Sequence, residues 1–212
     1  MKGLFITMEG PDGSGKTTQI EELKKFFNDK AYEVVITREP GGTDISEHIR
    51  SIILDVNNDN LSYMAEALLY AASRAQHVEE KIKPALEAGK VVICDRFVDS
   101  SIVYQVYARK IGIEVVESIN RFALMGIQPD ITFFFDIRPE DAMDRKVSQK
   151  SLDRLEKEDI SFHKLVYEGY KILLKRYPKR IRRIDASKSI DEVKNQIISE
   201  INRFLEGGLY WN

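Results

Sequence analysis

Gly10-Pro-Asp-Gly-Ser-Gly-Lys16-Thr17 follows directly on the apolar run Leu4-Phe5-Ile6-Thr7-Met8 and precedes an amphipathic stretch. The pattern G-x-x-x-x-G-K-[ST] between a strand and a helix is that of a loop that cradles phosphate. Gly10, Gly13 and Gly15 let successive backbone N–H groups turn toward one anion, and Pro11, Asp12 and Ser14 fill the loop between them. The positive end of the following helix, entered through Thr18, points at the same anion. Lys16 is placed to reach β- and γ-phosphates, and the Thr17 hydroxyl to hold Mg²⁺. A chain with this loop is expected to bind a nucleoside triphosphate.

The rest of the pattern sets the scaffold. Five short runs, Leu4–Met8, Glu33–Thr37, Val91–Cys94, Ile131–Phe135 and Ile181–Ile184, are dense in Val, Ile and Phe without polar alternation. Such runs suit parallel strands covered on both faces. Between them lie helical patterns at Thr17–Asp29, Ser46–Leu54, Ser62–Ala88, Val115–Met125, Ser161–Arg176 and Ile190–Leu205. Alternation of this kind implies an α/β fold, a five-stranded parallel sheet flanked by helices. No repeat or Pro/Gly-rich linker divides the 212 residues, so one domain over 1–212 is expected.

A net charge of −2 gives no global reason to expect nucleic acid or a membrane surface as partner. The single Cys94 excludes an intrachain disulfide and fits a reducing compartment. The chain enters a strand pattern at once and has no apolar run of membrane-spanning length, so a cytoplasmic location is expected. His48, His77 and His163 are scattered, which argues against a zinc site.

Ligands of open α/β sheets sit beyond the carboxyl ends of the strands. There the sequence places Glu9, then Arg38-Glu39-Pro40-Gly41-Gly42-Thr43, then Asp95-Arg96-Phe97, then Asp136. Asp95 is the candidate to orient the metal or its waters. Asp136 fits the same spacing, but a cap for the next helix is the simpler role. On Ser62–Ala88, the residues Tyr63, Ala67, Tyr70, Arg74 and His77 recur at spacings of three and four and share a face. Tyr70 and Arg74 there suit a flat ligand, by stacking and by hydrogen bonding to its edge; a core tyrosine beside a surface arginine remains open. The charged stretch 138–159, with Arg145, Lys146, Lys150 and Arg154, interrupts the alternation and reads as a small mobile lid with Ser148–Ser151 at its tip.

Several of these segments together resemble one family. Glu9-Gly-x-Asp-Gly-x-Gly-Lys-Thr-Thr18, Thr37-Arg-Glu-Pro-Gly-Gly-Thr43, Ala71-Ala-Ser-Arg74, Asp95-Arg-Phe-x-Asp-Ser-Ser101, Tyr104-Gln105 and Leu152-Asp-Arg-Leu-Glu156 look like the bacterial thymidylate kinases over nearly the whole chain. The resemblance implies a P-loop kinase fold, Mg²⁺-dependent transfer of phosphate from ATP to dTMP, and a homodimer. It places Asp12 at the sugar 3′-hydroxyl, Tyr70 on thymine, and Arg74, Ser101 and Gln105 at the base. Tyr104 would stand against the deoxyribose, and Arg50 and Arg96 at the acceptor phosphate with Glu39 close by. The loop lacks a basic residue of its own, which resembles the subgroup whose lid supplies catalytic cations. That assigns Arg145, Lys150 and Arg154 to act with Lys16 and Arg96.

Two alternatives remain open: another P-loop nucleoside or nucleotide kinase, or a nucleotide-dependent switch ATPase. A switch would not need the second set of residues, and the Asn-Lys-x-Asp motif of a GTPase is absent. The chain departs from the family pattern at Val106 and Lys110, where relatives commonly carry glycine. A valine at positive φ would be strained.

Overall fold

The strands β1 (Leu4–Glu9), β2 (Val34–Arg38), β3 (Val91–Asp95), β4 (Ile131–Asp136) and β5 (Ile181–Asp185) form one parallel sheet in the order β2-β3-β1-β4-β5. The computed structural model describes residues 3–146 and 152–207. Every strand runs one residue beyond its expected end and finishes on a charged side chain, because backbone pairing continues that far: Met8 lies opposite Asp95, and Asp136 opposite Asp185. Ile36, Ile93, Ile6 and Ile131 stand in register across four strands, and the last three are fully buried. Burying each such side chain stabilises the sheet by about 1.5–3 kcal/mol.

Helices cover both faces. On one, α1 (Lys16–Asn28) and α9 (Ile190–Glu206) bring Ile20, Leu23, Phe27, Val193, Ile197 and Ile201 onto Leu4, Ile6, Met8 and Phe133. On the other lies the long segment α3 (Tyr63–His77) and α4 (Lys83–Glu87), joined by a π turn at Val78–Ile82, with α2 (Asp44–Leu54) packed on α3. The sequence predicts one helix over Ser62–Ala88. Pro84 explains the interruption: it cannot donate to the carbonyl four residues back and its ring crowds it, so the preceding turn widens.

Two elements were not anticipated. Val98–Ser101 (α5) continues into a π turn, Ile102–Ala108, and this segment carries Ser101, Tyr104 and Gln105. Its β-branched and aromatic composition hides a helix from propensity reasoning. Part of the expected lid is helical, α7 (Pro139–Lys146). The sheet side is completed by α6 (Ile113–Leu124) and α8 (Ile160–Arg176). Among the described residues, no helix is long and apolar enough to cross a membrane.

Because β1 has β3 on one side and β4 on the other, connections leave the centre in opposite directions and open a crevice at the carboxyl end of β1. Glu9 fixes that crevice. Fully buried, its Oε1 accepts from the backbone N–H groups of Phe97 (2.8 Å) and Ser100 (3.3 Å), and its Oε2 from the hydroxyls of Ser100 (2.6 Å) and Tyr170 (2.7 Å). The end of the central strand is thereby bolted to the start of α5 and to α8. Burial, with the nearby Asp99 charge, pushes the Glu9 carboxyl up to about 7, while Ser100, Arg96 and Tyr170 pull the other way. Asp136, read as a helix cap, instead accepts from the Tyr167 hydroxyl (2.6 Å) and pairs with Arg183.

The two glycine departures behave differently. Val106 lies inside the π turn and is not among the residues with positive φ, so the strain feared for a valine does not arise. Lys110 does take the left-handed conformation, φ 60, at the end of that segment. Lys110→Gly is therefore expected to stabilise the fold by about 0.5–1 kcal/mol, and Val106→Gly to destabilise it by a similar amount, read from urea midpoints.

A raised carboxyl pKa favours the protonated form in the folded state. Stability is then fully present below about pH 4.5 and is lost as pH rises toward about 7. Glu9→Gln removes this linkage. Thermal unfolding followed from pH 5 to 8 should show wild type losing up to about 3 kcal/mol that the variant does not lose.

Candidate active site

A cleft of about 870 Å³ opens at the carboxyl end of the sheet. One part of its wall is the phosphate loop. Gly10 has φ 139 and packs so closely that a Cβ there would stand 2.8 Å from the Phe135 carbonyl oxygen. Gly15, φ 91, turns the chain into α1, whose first residues Lys16 and Thr17 face the cleft with Pro11, Asp12 and Gly13. The buried hydroxyl of Ser14 has no hydrogen-bond partner, while Thr18 is exposed on α1. Lys16 donates to the carbonyls of Gly10 (3.1 Å) and Pro11 (2.9 Å) and lies 3.7 Å from Asp12. Burial, then the Arg96 charge, lowers its ammonium pKa.

Arg96 stands between the loop and the rest of the cleft. Its backbone is left-handed, φ 65, at a cost of about 1–2 kcal/mol for a residue with a Cβ. The conformation is held by its N–H on the Met8 carbonyl (2.9 Å). The guanidinium donates to Asp12 (2.7 Å) and, at 3.4 Å each, to the hydroxyls of Ser100 and Tyr170, and lies over the Tyr104 ring. Burial opposes its charge, but Tyr104, Asp12, Tyr170 and Asp95 outweigh it and hold its pKa above the usual range. Asp95 lines the same cleft, and its Oδ1 is buried without a partner.

The remaining wall gathers Tyr70 and Arg74 from α3, Glu39 and Arg50 from the β2–α2 region, and Ser101, Tyr104 and Gln105 from the α5 segment. Arg74 is neither at the surface nor free: it donates to Glu39 (2.8 Å), Ser101 (3.0 Å), Asn120 and the Phe97 carbonyl (3.2 Å). Glu39 also meets His77 Nδ1 at 3.1 Å, and Arg50 donates to the Pro40 carbonyl (2.8 Å). Burial pushes the Tyr104 hydroxyl up to about 12 and raises that of Tyr70 further, with Glu66 adding to the latter. Both phenols stay neutral at physiological pH.

The lid cations separate. Arg145 on α7 lines the cleft while donating to the carbonyls of Ala186 (2.8 Å) and Ser187 (3.3 Å). Lys150, with the Ser148–Ser151 tip, lies outside the described residues. Arg154 is not brought to the cleft. Its guanidinium is buried against the Glu66 carboxylate (2.6 Å) and the Ile53 carbonyl (2.8 Å), which occupy it as an internal anchor. Arg109 is likewise buried between Glu66 and Glu158. The sequence places Glu9 at a strand end but gives it no role, and it does not single out Ser100, Tyr170 or Glu66. Glu9 and Ser100 were visible within the motifs; Tyr170 and Glu66 carried no local signal.

A model of the thymidylate kinase family matches residues 8–197. The chain is 47% identical over 210 residues to the thymidylate kinase of an Exiguobacterium species, covering 99% of each. It is 52% identical over 205 residues to that of a Thermoanaerobacter species, covering 97% of this chain and 100% of the relative. Among solved structures it resembles the thymidylate kinase of Ehrlichia chaffeensis with a TM-score of 0.77 at 33% identity, over 95% of this chain and 99% of that one. With the cleft built as described, these likenesses establish that the chain belongs to the thymidylate kinase family and has a P-loop kinase fold.

Proposed function

We propose that this chain transfers the γ-phosphoryl group of ATP to dTMP, giving dTDP and ADP. The observation that carries the reading is one cleft walled both by the phosphate loop and by an aromatic–guanidinium set large enough for a second nucleotide. Residues 10–18 cradle the donor, with Lys16 at its terminal phosphates. Tyr70 stacks on thymine, and Arg74, Ser101 and Gln105 face the edge of the base. Tyr104 stands beside the deoxyribose, Asp12 faces the 3′-hydroxyl, and Arg50 and Arg96 hold the acceptor phosphate beside Glu39.

Phosphoryl transfer asks for in-line placement and neutralised oxygens rather than covalent catalysis. The acceptor phosphate is already anionic near neutral pH, so no general base is needed. Arg96 bridges the donor loop and the acceptor half, which suits it to the group in flight. Arg145, at the rim, is the lid cation that the geometry favours, and Lys150 remains a candidate beside it. The donor set fits Mg²⁺: the orphaned Asp95 Oδ1 and the Thr17 hydroxyl share the cleft, and a site of few protein ligands suits an ion that keeps waters and phosphate oxygens. Bound with ATP, Mg²⁺ supplies charge neutralisation at the β- and γ-phosphate oxygens. The protein is read as a single-domain cytoplasmic enzyme.

Exposed apolar side chains on α2, α3 and α6 support a homodimer. Ile45, Leu68, Val115 and Phe122 are all open to solvent, Phe122 by 78%, and these helices pack side by side.

With ATP and a panel of monophosphates, dTMP should be turned over fastest, and ADP release independent of any monophosphate would reject the reading. Lys16→Ala and Arg96→Ala should each lower kcat on the order of a hundredfold with folding intact; near-normal turnover in either would remove it from the mechanism. Phe122→Glu should convert a dimer into a monomer by sedimentation, whereas a wild type that sediments as a monomer would exclude the dimer.

A further inference from the structure

Glu66 is fully buried on α3, one turn before Tyr70, and does not line the cleft. Three side chains converge on it. Arg154 donates to Oε2 at 2.6 Å; Arg109 reaches both oxygens at 3.4 Å; Gln105 Nε2 donates to Oε1 at 3.1 Å. Placed between two guanidinium groups, which only donate, both Glu66 oxygens act as acceptors.

That arrangement decides which way the Gln105 amide points. A flipped amide would set its carbonyl oxygen against a carboxylate oxygen and bury both without a proton between them, so the NH₂ group must face Glu66. Oε1 is then turned away, and it is buried with no partner in the protein, on a residue that walls the cleft. The cleft is thus offered an acceptor at this position. Thymine presents a donor, N3–H, between two carbonyls on its pairing edge; cytosine presents a lone pair at N3.

We infer that Glu66 is a positioning residue that sets base selectivity: by fixing the Gln105 amide it presents a carbonyl acceptor to the base and rejects cytosine at N3. The inference rests on the reading of this cleft as the dTMP site. Arg154 gives the same carboxylate a second task. Its backbone N–H donates to the Leu54 carbonyl (3.1 Å) and its side chain to Ile53, so the chain leaving the lid hangs from the group that orients the base reader.

The test compares kcat/KM for dTMP and for dCMP in wild type, in Glu66→Gln and in the double variant Glu66→Gln/Arg154→Met. A glutamine at 66 can turn either face to Gln105, which frees the amide to flip. The double variant also removes the cation that would otherwise be buried without its carboxylate, while Arg109 keeps Glu158 (2.6 Å). It carries the test if the single variant does not fold. The dTMP-to-dCMP ratio should fall about tenfold or more, the scale of one misdirected hydrogen bond in a buried site. A ratio unchanged from wild type, with only kcat or Tm reduced, would mean that Glu66 is structural and would overturn the inference while leaving the dTMP reading intact. Wild type with no preference for dTMP over dCMP would overturn that reading and the inference with it.

Discussion

Glu9 closes the central strand with a fully buried carboxyl group, and both the phosphate loop and Arg96 take their positions from it. Its oxygens receive two backbone N–H groups from the start of α5 and two hydroxyls, one from Ser100 and one from Tyr170 on α8. The phosphate loop begins at the next residue, Gly10, and Arg96 is one residue before the first N–H that Glu9 accepts. Loop and guanidinium are therefore referred to the same anchor. A buried carboxyl with this many donors is costly to desolvate and still more costly to leave unpaired, which makes the arrangement discrete rather than adjustable.

The fold was legible because its signals are local. Strands buried on both faces read as unbroken apolar runs, and the phosphate loop needs only eight residues in one context. What failed to show was whatever depends on distance in sequence. Glu66 sits in a run of helix formers, and its arginine partners lie 43 and 88 residues further on. Nothing near it marks it as the centre of a charge cluster. The α5 segment was hidden for the opposite reason: Ile102, Val103 and Tyr104 prefer extended backbone, and burial against α8 overrides the preference.

The same limit explains the reassignment of Arg154. A basic residue in a charged stretch after β4 reads as solvated and available to a phosphate. Only the three-dimensional neighbourhood shows two internal acceptors, Glu66 and the Ile53 carbonyl, already holding it. Its guanidinium holds a buried carboxylate at 2.6 Å, closer than the second cation there, Arg109 at 3.4 Å, and this pairing keeps it inside the protein as an anchor. Arg145 differs in kind, because its acceptors are neutral carbonyls at 2.8 and 3.3 Å on the cleft rim.

That contrast extends to the cations of the loop. Lys16 donates its hydrogen bonds to the neutral carbonyls of Gly10 and Pro11 and meets Asp12 only at 3.7 Å, whereas Arg96 donates directly to the charged Asp12 at 2.7 Å. Hydrogen bonds to ionised acceptors are roughly twice as strong as those to neutral ones. On the proposed reading, phosphate oxygens would replace neutral hydrogen-bond acceptors at Lys16, but at Arg96 would replace one anion with another. The exchange at Arg96 would favour phosphate once Asp12 has an alternative partner, and the acceptor's sugar hydroxyl would be one. On the proposed reading, recognition of the sugar and release of the guanidinium toward the transferring group would be a single event, and the charge needed for transfer would be set free when the acceptor is in place.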